Sequence, residues 1–311
     1  MIPEEYPFEL MTDYLNANVG VLITGFTDGL DKSHRKMYVP SRICVPKTIM
    51  FTVANIDQSI FSLKAGDEEV SVQFKDVTNI LRKHISRDDF VLMDITSLDH
   101  TSIMTLTRSL FFLNPRILFA SYVLPKQYSK ELGSYAFSSP GSFREVKGFI
   151  SHKPHDKLYA FIGFEAVRLG PIIDNYSDIS CVIGFPSENP RWKSEALVHI
   201  VCDLGIDTIA KTDSHSVFHT LDFLEKELEA YPEGFDLAPL GTRPHTLACA
   251  IFAYCNSKCS LIYDRPVEKS YYSEKGAAII YNLSNLIPVK EPRINRSKSE
   301  DIVFCNHTGS C

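Results

Sequence analysis

The sequence predicts an α/β protein built on mainly parallel sheet with helices on both faces, organised as two related halves that each contain a βαβ unit. Three observations predict it. Short runs rich in Val, Ile and Phe alternate with longer stretches of helical spacing, the pattern of strands joined by helical crossovers. Three of the runs end alike, in Gly-Phe with a polar residue soon after: VLITGFTD at Val21–Asp28, AFIGFEAV at Ala160–Val167 and CVIGFPSE at Cys181–Glu188. Finally, the stretch from Phe90 (FVLMDITSLDHT) can be laid over the stretch from Gly234 (GFDLAPLGTRPHT).

Taken in chain order, strands are expected at Gly20–Thr24, Met50–Val53, Phe90–Met93, Ile117–Ser121, Leu158–Ile162, Ser180–Ile183, Phe235–Ala238, Ser260–Tyr263 and Ile302–Phe304. Alternation over Glu69–Phe74 reads as a hairpin-type strand outside the parallel set. The clearest helix follows Asp213 and Ser214, either of which suits an N-cap, and its apolar line runs through Val217, Leu221, Leu224 and Leu228. Asp31 to Lys47 yields no reading. In the repeat, His100-Thr101 falls on His245-Thr246, and Tyr122-x-x-Pro125 falls on Tyr263-x-x-Pro266. Each unit is then strand, polar elbow, helix, strand, and the chain divides into halves at 1–145 and 146–311. Two ordinary crossovers would also share this much.

Composition bounds the function. At 311 residues the chain can bury a sizeable core, and 44% hydrophobic with 23% charged residues is ordinary for a globular protein. A formal charge of −6 disfavours a generic duplex-binding face, so nucleic acid is not an expected partner. The eight cysteines are scattered through apolar stretches, which reads as a reduced, cytoplasmic protein. The N-terminus has no apolar signal core, and the longest apolar stretch is interrupted by Asn114-Pro115-Arg116, so no membrane span is expected.

In parallel sheets the residues just past the carboxyl ends of strands line the ligand crevice. That places Asp28, Glu165, Arg168 and Ser187 there, joined by Asp94, Thr96 and Ser97 from one repeat and Thr242, Arg243, Asp264 and Arg265 from the other. Carboxylates, arginines and hydroxyls in this mixture suit a nucleotide or another phosphorylated small molecule. The plainer reading is that each Gly-Phe closes a strand and packs its ring under a loop.

Thr96-x-x-Asp99 reads as a capping box, and a helix start beside Thr96 and Ser97 would favour an anion. In the second repeat Gly241, Thr242 and Arg243 occupy that place, with Pro244 in the first turn and Arg243 able to clamp a phosphate. Glu165 or Asp28 would serve as nucleophile or general base toward a glycosidic carbon, and Asp94 would orient a water; alone, each is equally a solvated or Arg-paired acid. Tyr122 and Tyr263 would stack on a base, or serve as core rings with a satisfied hydroxyl.

No metal or cofactor is assigned. His215 and His219 lie opposite the apolar line of their helix, and His152, His155, Cys255 and Cys259 lack partners at ligand spacing. The phosphate-loop, dinucleotide, nucleophile-elbow and zinc-protease signatures are absent.

GFEAVR, DITSLDHT, PLGTRPHTLACAIFA and LIYDRP together resemble uncharacterised prokaryotic two-half α/β proteins of phage-defence gene clusters. That resemblance implies a setting and no catalytic residue. The expectation is therefore a nucleotide- or phosphorylated-ligand-binding protein, acting as hydrolase or transferase in phage defence. The rival is a non-catalytic subunit that holds a protein partner in a defence complex through the same strand-end loops.

Overall fold

The computed structural model describes residues 5–25, 34–55, 58–128, 137–139, 142–151, 153–163, 166–187, 190–264, 267–268 and 273–288. In chain order the elements are β1 (Glu5–Pro7), α1 (Phe8–Asn18), β2 (Val21–Thr24), α2 (His34–Tyr38), β3 (Lys47–Asn55), β4 (Ile60–Ala65), β5 (Glu68–Gln73), α3 (Val77–His84), β6 (Phe90–Asp94), α4 (His100–Leu113), β7 (Ile117–Tyr128), β8 (Phe137–Ser139) and β9 (Arg144–Glu145). They continue with β10 (Lys157–Ile162), β11 (Asp178–Phe185), α5 (Pro190–Val198), β12 (Ile209–Asp213), α6 (Val217–Ala230), β13 (Asp236–Leu240), α7 (Arg243–Cys255), β14 (Ser260–Tyr263), β15 (Val267–Glu268) and β16 (Ser273–Asn282).

Two mixed sheets carry the chain. The first has the order β1-β16-β7-β6-β2-β3-β4-β5, and the second β12-β11-β10-β13-β14-β9. In the first, only β7, β6, β2 and β3 run parallel. The β4–β5 hairpin and the strands β16 and β1 flank them antiparallel, so this sheet is less parallel than the sequence predicts. In the second, β12, β11, β10, β13 and β14 are all parallel, and β9 adds antiparallel at the edge. A division at 145/146 leaves β16 in the first sheet and β9 in the second.

The parallel strands read as continuous apolar runs because both of their faces are covered: β6 and β10 are buried at every position. Helices α4 and α7 pack against one another, which is why both are buried on nearly every side instead of along one stripe. Asn114 ends α4 in the left-handed region at φ 54°, its N–H bonded to Leu110 O, and Pro115 prevents continuation. Both sequence repeats thus form strand-helix-strand units, β6-α4-β7 and β13-α7-β14. The strand expected at Ile302–Phe304 lies outside the described residues.

Two helix starts differ from the sequence expectation. Helix α4 begins at His100 with Asp99 as its N-cap, so Thr96-x-x-Asp99 is no capping box; Thr96 Oγ1 instead accepts the N–H of Val123 at 2.9 Å. Ser216 caps α6, and Asp213 Oδ1 holds the approach by accepting the N–H groups of His215 and Ser216. No described helix is long and apolar enough to cross a membrane.

Candidate functional site

Strand order reverses between β2 and β6 in one sheet and between β10 and β13 in the other, and these are the points where open parallel sheets form a crevice. Gly25 and Asp94–Ser97 end the strands at the first point; Gly163 and Gly241–Thr242 end them at the second. The two points meet through the first turns of α4 and α7. Arg243 Nε donates to Leu98 O at 2.8 Å, and His100 Nδ1 lies 2.6 Å from Thr246 Oγ1.

The glycines of the Gly-Phe endings serve this convergence. A Cβ on Gly25 would lie 2.0 Å from the carbonyl oxygen of Ser97. On Gly184 it would lie 2.7 Å from Ser214 Cβ and 3.0 Å from His245 Cε1, and on Gly163 it would press on Leu240 O at 3.3 Å. Each absent side chain makes room for a neighbouring strand end of the same chain. Phe185, expected under a loop, is 59% exposed with Lys193 Nζ over its ring.

Asp94 is wholly buried at the end of β6. Its Oδ1 accepts Thr96 N–H and Ser121 Oγ–H, both at 3.2 Å, while Oδ2 has no partner and no solvent. Burial raises its pKa from the ordinary 3.8 to about 6, against the opposing hydrogen bonds of Thr96, Ser97 and Ser121. Because the shift is upward, ionised Asp94 disfavours the fold. The penalty is absent below about pH 4 and complete, at about 3 kcal/mol, above about pH 6. Asp94→Asn is expected to be more stable than the parent by about 2 kcal/mol at pH 8, since about 1 kcal/mol is lost to an amide N–H left without a partner. Urea midpoints at pH 8 and pH 4 check this: the gain must vanish at pH 4, and an equal difference at both would remove the ionisation of Asp94 as its cause.

The cations come from the C-terminal part of the chain. Arg168, on the 3-10 stretch Ala166–Asn175, binds Asp264 through Nε at 2.7 Å and again through Nη2. Both residues are buried. Burial works against the charge of Arg168, and the bonds to Asp264 with neighbouring Tyr263 more than reverse it, so its pKa lies above the ordinary arginine value. Tyr263 stacks on His100, 5.6 Å between centroids and 21° between planes, and Arg168 lies 5.6 Å from its ring centre. Arg243 is half-buried at the start of α7.

The structure therefore brings Arg168, Thr242, Arg243, Tyr263 and Asp264 to one junction, with Thr96, Ser97 and Asp94 behind the start of α4. Tyr122 and Tyr263 are each 3% exposed, and Arg35 lies over the ring of Tyr122, so the tyrosine faces meet this chain's own groups. Thr242 Oγ1 donates to Ser214 O at 2.7 Å and accepts His245 N–H. Ser97 Oγ bonds Gly25 N–H at 2.7 Å. Ser187 is half-buried just beyond β11. Asp28, Glu165 and Arg265 lie outside the described residues.

Sequence reasoning singled out neither histidine of the repeat. His245 is sealed, donates Nε2–H to Asp213 O at 3.0 Å, and burial lowers its pKa to about 4. His100 is half-buried between the two units. The shared His-Thr pair was the available signal. At the opposite strand edge, Ser151, His155 and Asp236 form a hydrogen-bonded chain, but Ser151 Oγ donates to Lys153 O, so this chain reads as a structural clamp. Among the described residues no group of three His, Cys, Asp or Glu side chains could hold a metal ion. Comparison with protein-family models finds no match, and comparison with curated proteins finds none either.

Proposed function

We propose that the chain binds a nucleotide or another phosphorylated ligand where the first turns of α4 and α7 meet, and acts on it as a hydrolase or transferase in antiviral defence. The observation that supports the ligand class is electrostatic. Arg243 stands at the start of α7 and reaches Leu98 O before α4, and with the Arg168 charge offset by Asp264 it is Arg243 that supplies positive charge at this junction in a chain of formal charge −6. Two helix N-termini add to it. The antiviral setting rests on sequence resemblance alone. Turnover is assigned to the strand-end acids Glu165, Asp28 and Asp94.

Melting of the purified chain with AMP, ADP, ATP, NAD and inorganic phosphate tests this reading. A nucleotide at about a hundred times its Kd adds about 2.7 kcal/mol, a rise of roughly 4 °C for a chain of this size. Arg243→Ala should abolish the rise. Its persistence in Glu165→Ala, with product formation lost, would assign the chemistry to Glu165. No shift with any probe would favour the interaction subunit, and the search for its partner would begin at Val198 and Val201, exposed one turn apart.

A further inference from the structure

His100 is fixed on two sides: its ring stacks on Tyr263, and Nδ1 lies 2.6 Å from Thr246 Oγ1. The hydroxyl proton of Thr246 has two acceptors in reach, His100 Nδ1 at 2.6 Å and Thr242 O at 3.3 Å. The nearer one fits an O–H donor, and Thr242 O already receives the backbone N–H of Thr246 at 3.1 Å. With Thr246 donating to Nδ1, the shorter of its two contacts, the ring proton sits on Nε2. That nitrogen has no hydrogen bond to a described residue, and the His100 side chain is only half-buried.

We propose that His100 is an anion-binding residue that donates its Nε2–H, from an uncharged imidazole, to an oxygen of the ligand's phosphate, and that Thr246 is the positioning residue that sets this tautomer. The role rests on the crevice reading above and names the contact within it. A neutral donor suits a place where Arg243 already supplies charge, because a second cation would repel it, whereas an N–H dipole adds a bond at no such cost. The role also accounts for the transfer of the His-Thr pair across the units: the histidine comes from α4 and the threonine that orients it from α7.

The test is nitrogen-detected NMR of the full chain labelled at histidine, with inorganic phosphate and ADP as probes. His100 should carry its proton on Nε2, stay uncharged from pH 8 down to below pH 6, and show an Nε2 shift when either probe is added. Thr246→Val, close in size, should move proton density to Nδ1 and weaken phosphate or ADP binding several-fold while leaving the melting temperature of the free protein within a few degrees. A proton on Nδ1, or titration near the ordinary histidine pKa of 6.5, would overturn the proposal. If ADP raises the melting temperature and leaves the His100 nitrogens unmoved, this role fails while the crevice reading stands. If neither probe binds, both fall together.

Discussion

Asp264→Ala is expected to lower folding stability by about 3 to 5 kcal/mol, because it removes the buried carboxylate that pairs the Arg168 guanidinium through two hydrogen bonds. Asp264 is 0% exposed and Arg168 3%, and the two are joined by paired hydrogen bonds, so neither group can turn to water when the other is removed. Replacing both with apolar residues of similar volume, Arg168→Met with Asp264→Leu, removes the charge and its desolvation together, and should recover most of the loss. Thermal melting followed by far-ultraviolet circular dichroism of the parent, the single and the double variant checks the pattern. A single variant within 1 kcal/mol of the parent would mean that water reaches Arg168. The double variant also carries functional information: if it is folded yet fails to bind phosphate, Arg168 contributes potential to the crevice beyond its structural pairing.

Gly25→Ala is expected to cost about 3 kcal/mol or more, because its Cβ would lie 2.0 Å from the Ser97 carbonyl oxygen, a backbone atom that no rotamer change can move. The displaced segment also carries the bonds from Gly25 N–H and Thr24 Oγ1 to Ser97 Oγ, at 2.7 and 2.9 Å, and runs directly into the start of α4. Strain there would reach His100. Gly170→Ala is the control, since an added Cβ meets nothing within 4 Å. Its melting temperature should stay within about 2 °C of the parent. If Gly25→Ala melts with the parent as well, β2 and the Ser97 turn separate readily, and the crevice floor is softer than this packing implies.

The chain's own residues made the strands of the parallel core legible. The runs VLI at 21–23, FVLM at 90–93 and LYAFI at 158–162 are covered on both faces, so burial demands an unbroken apolar run and the sequence displays one. The antiparallel strands were harder. β4 alternates buried and half-buried positions and β16 mixes buried with exposed ones, both with charged residues, and β16 owes its place to β7, more than a hundred residues earlier in the chain. Helix caps divided in the same way. Thr242 is the cap that local spacing indicates, whereas Thr96 is drawn away from capping by Val123 on a neighbouring strand.

At the site, the repeat of His-Thr at 100–101 and 245–246 was visible in one dimension, and so were Arg168, Arg243 and Asp264 as polar residues near strand ends. Their relations were not. That Asp264 neutralises Arg168, that Gly25 yields its side-chain space to Ser97, and that Thr246 orients a histidine of the other unit all depend on distances between segments that only packing brings together. Alternating hydrophobicity and turn residues are local properties, and the sequence by itself determined the α/β class and the positions of many strands along the chain. Which charged groups are paired, sealed or open is set by contacts across 70 to 150 positions of chain, and only the tertiary structure decided it.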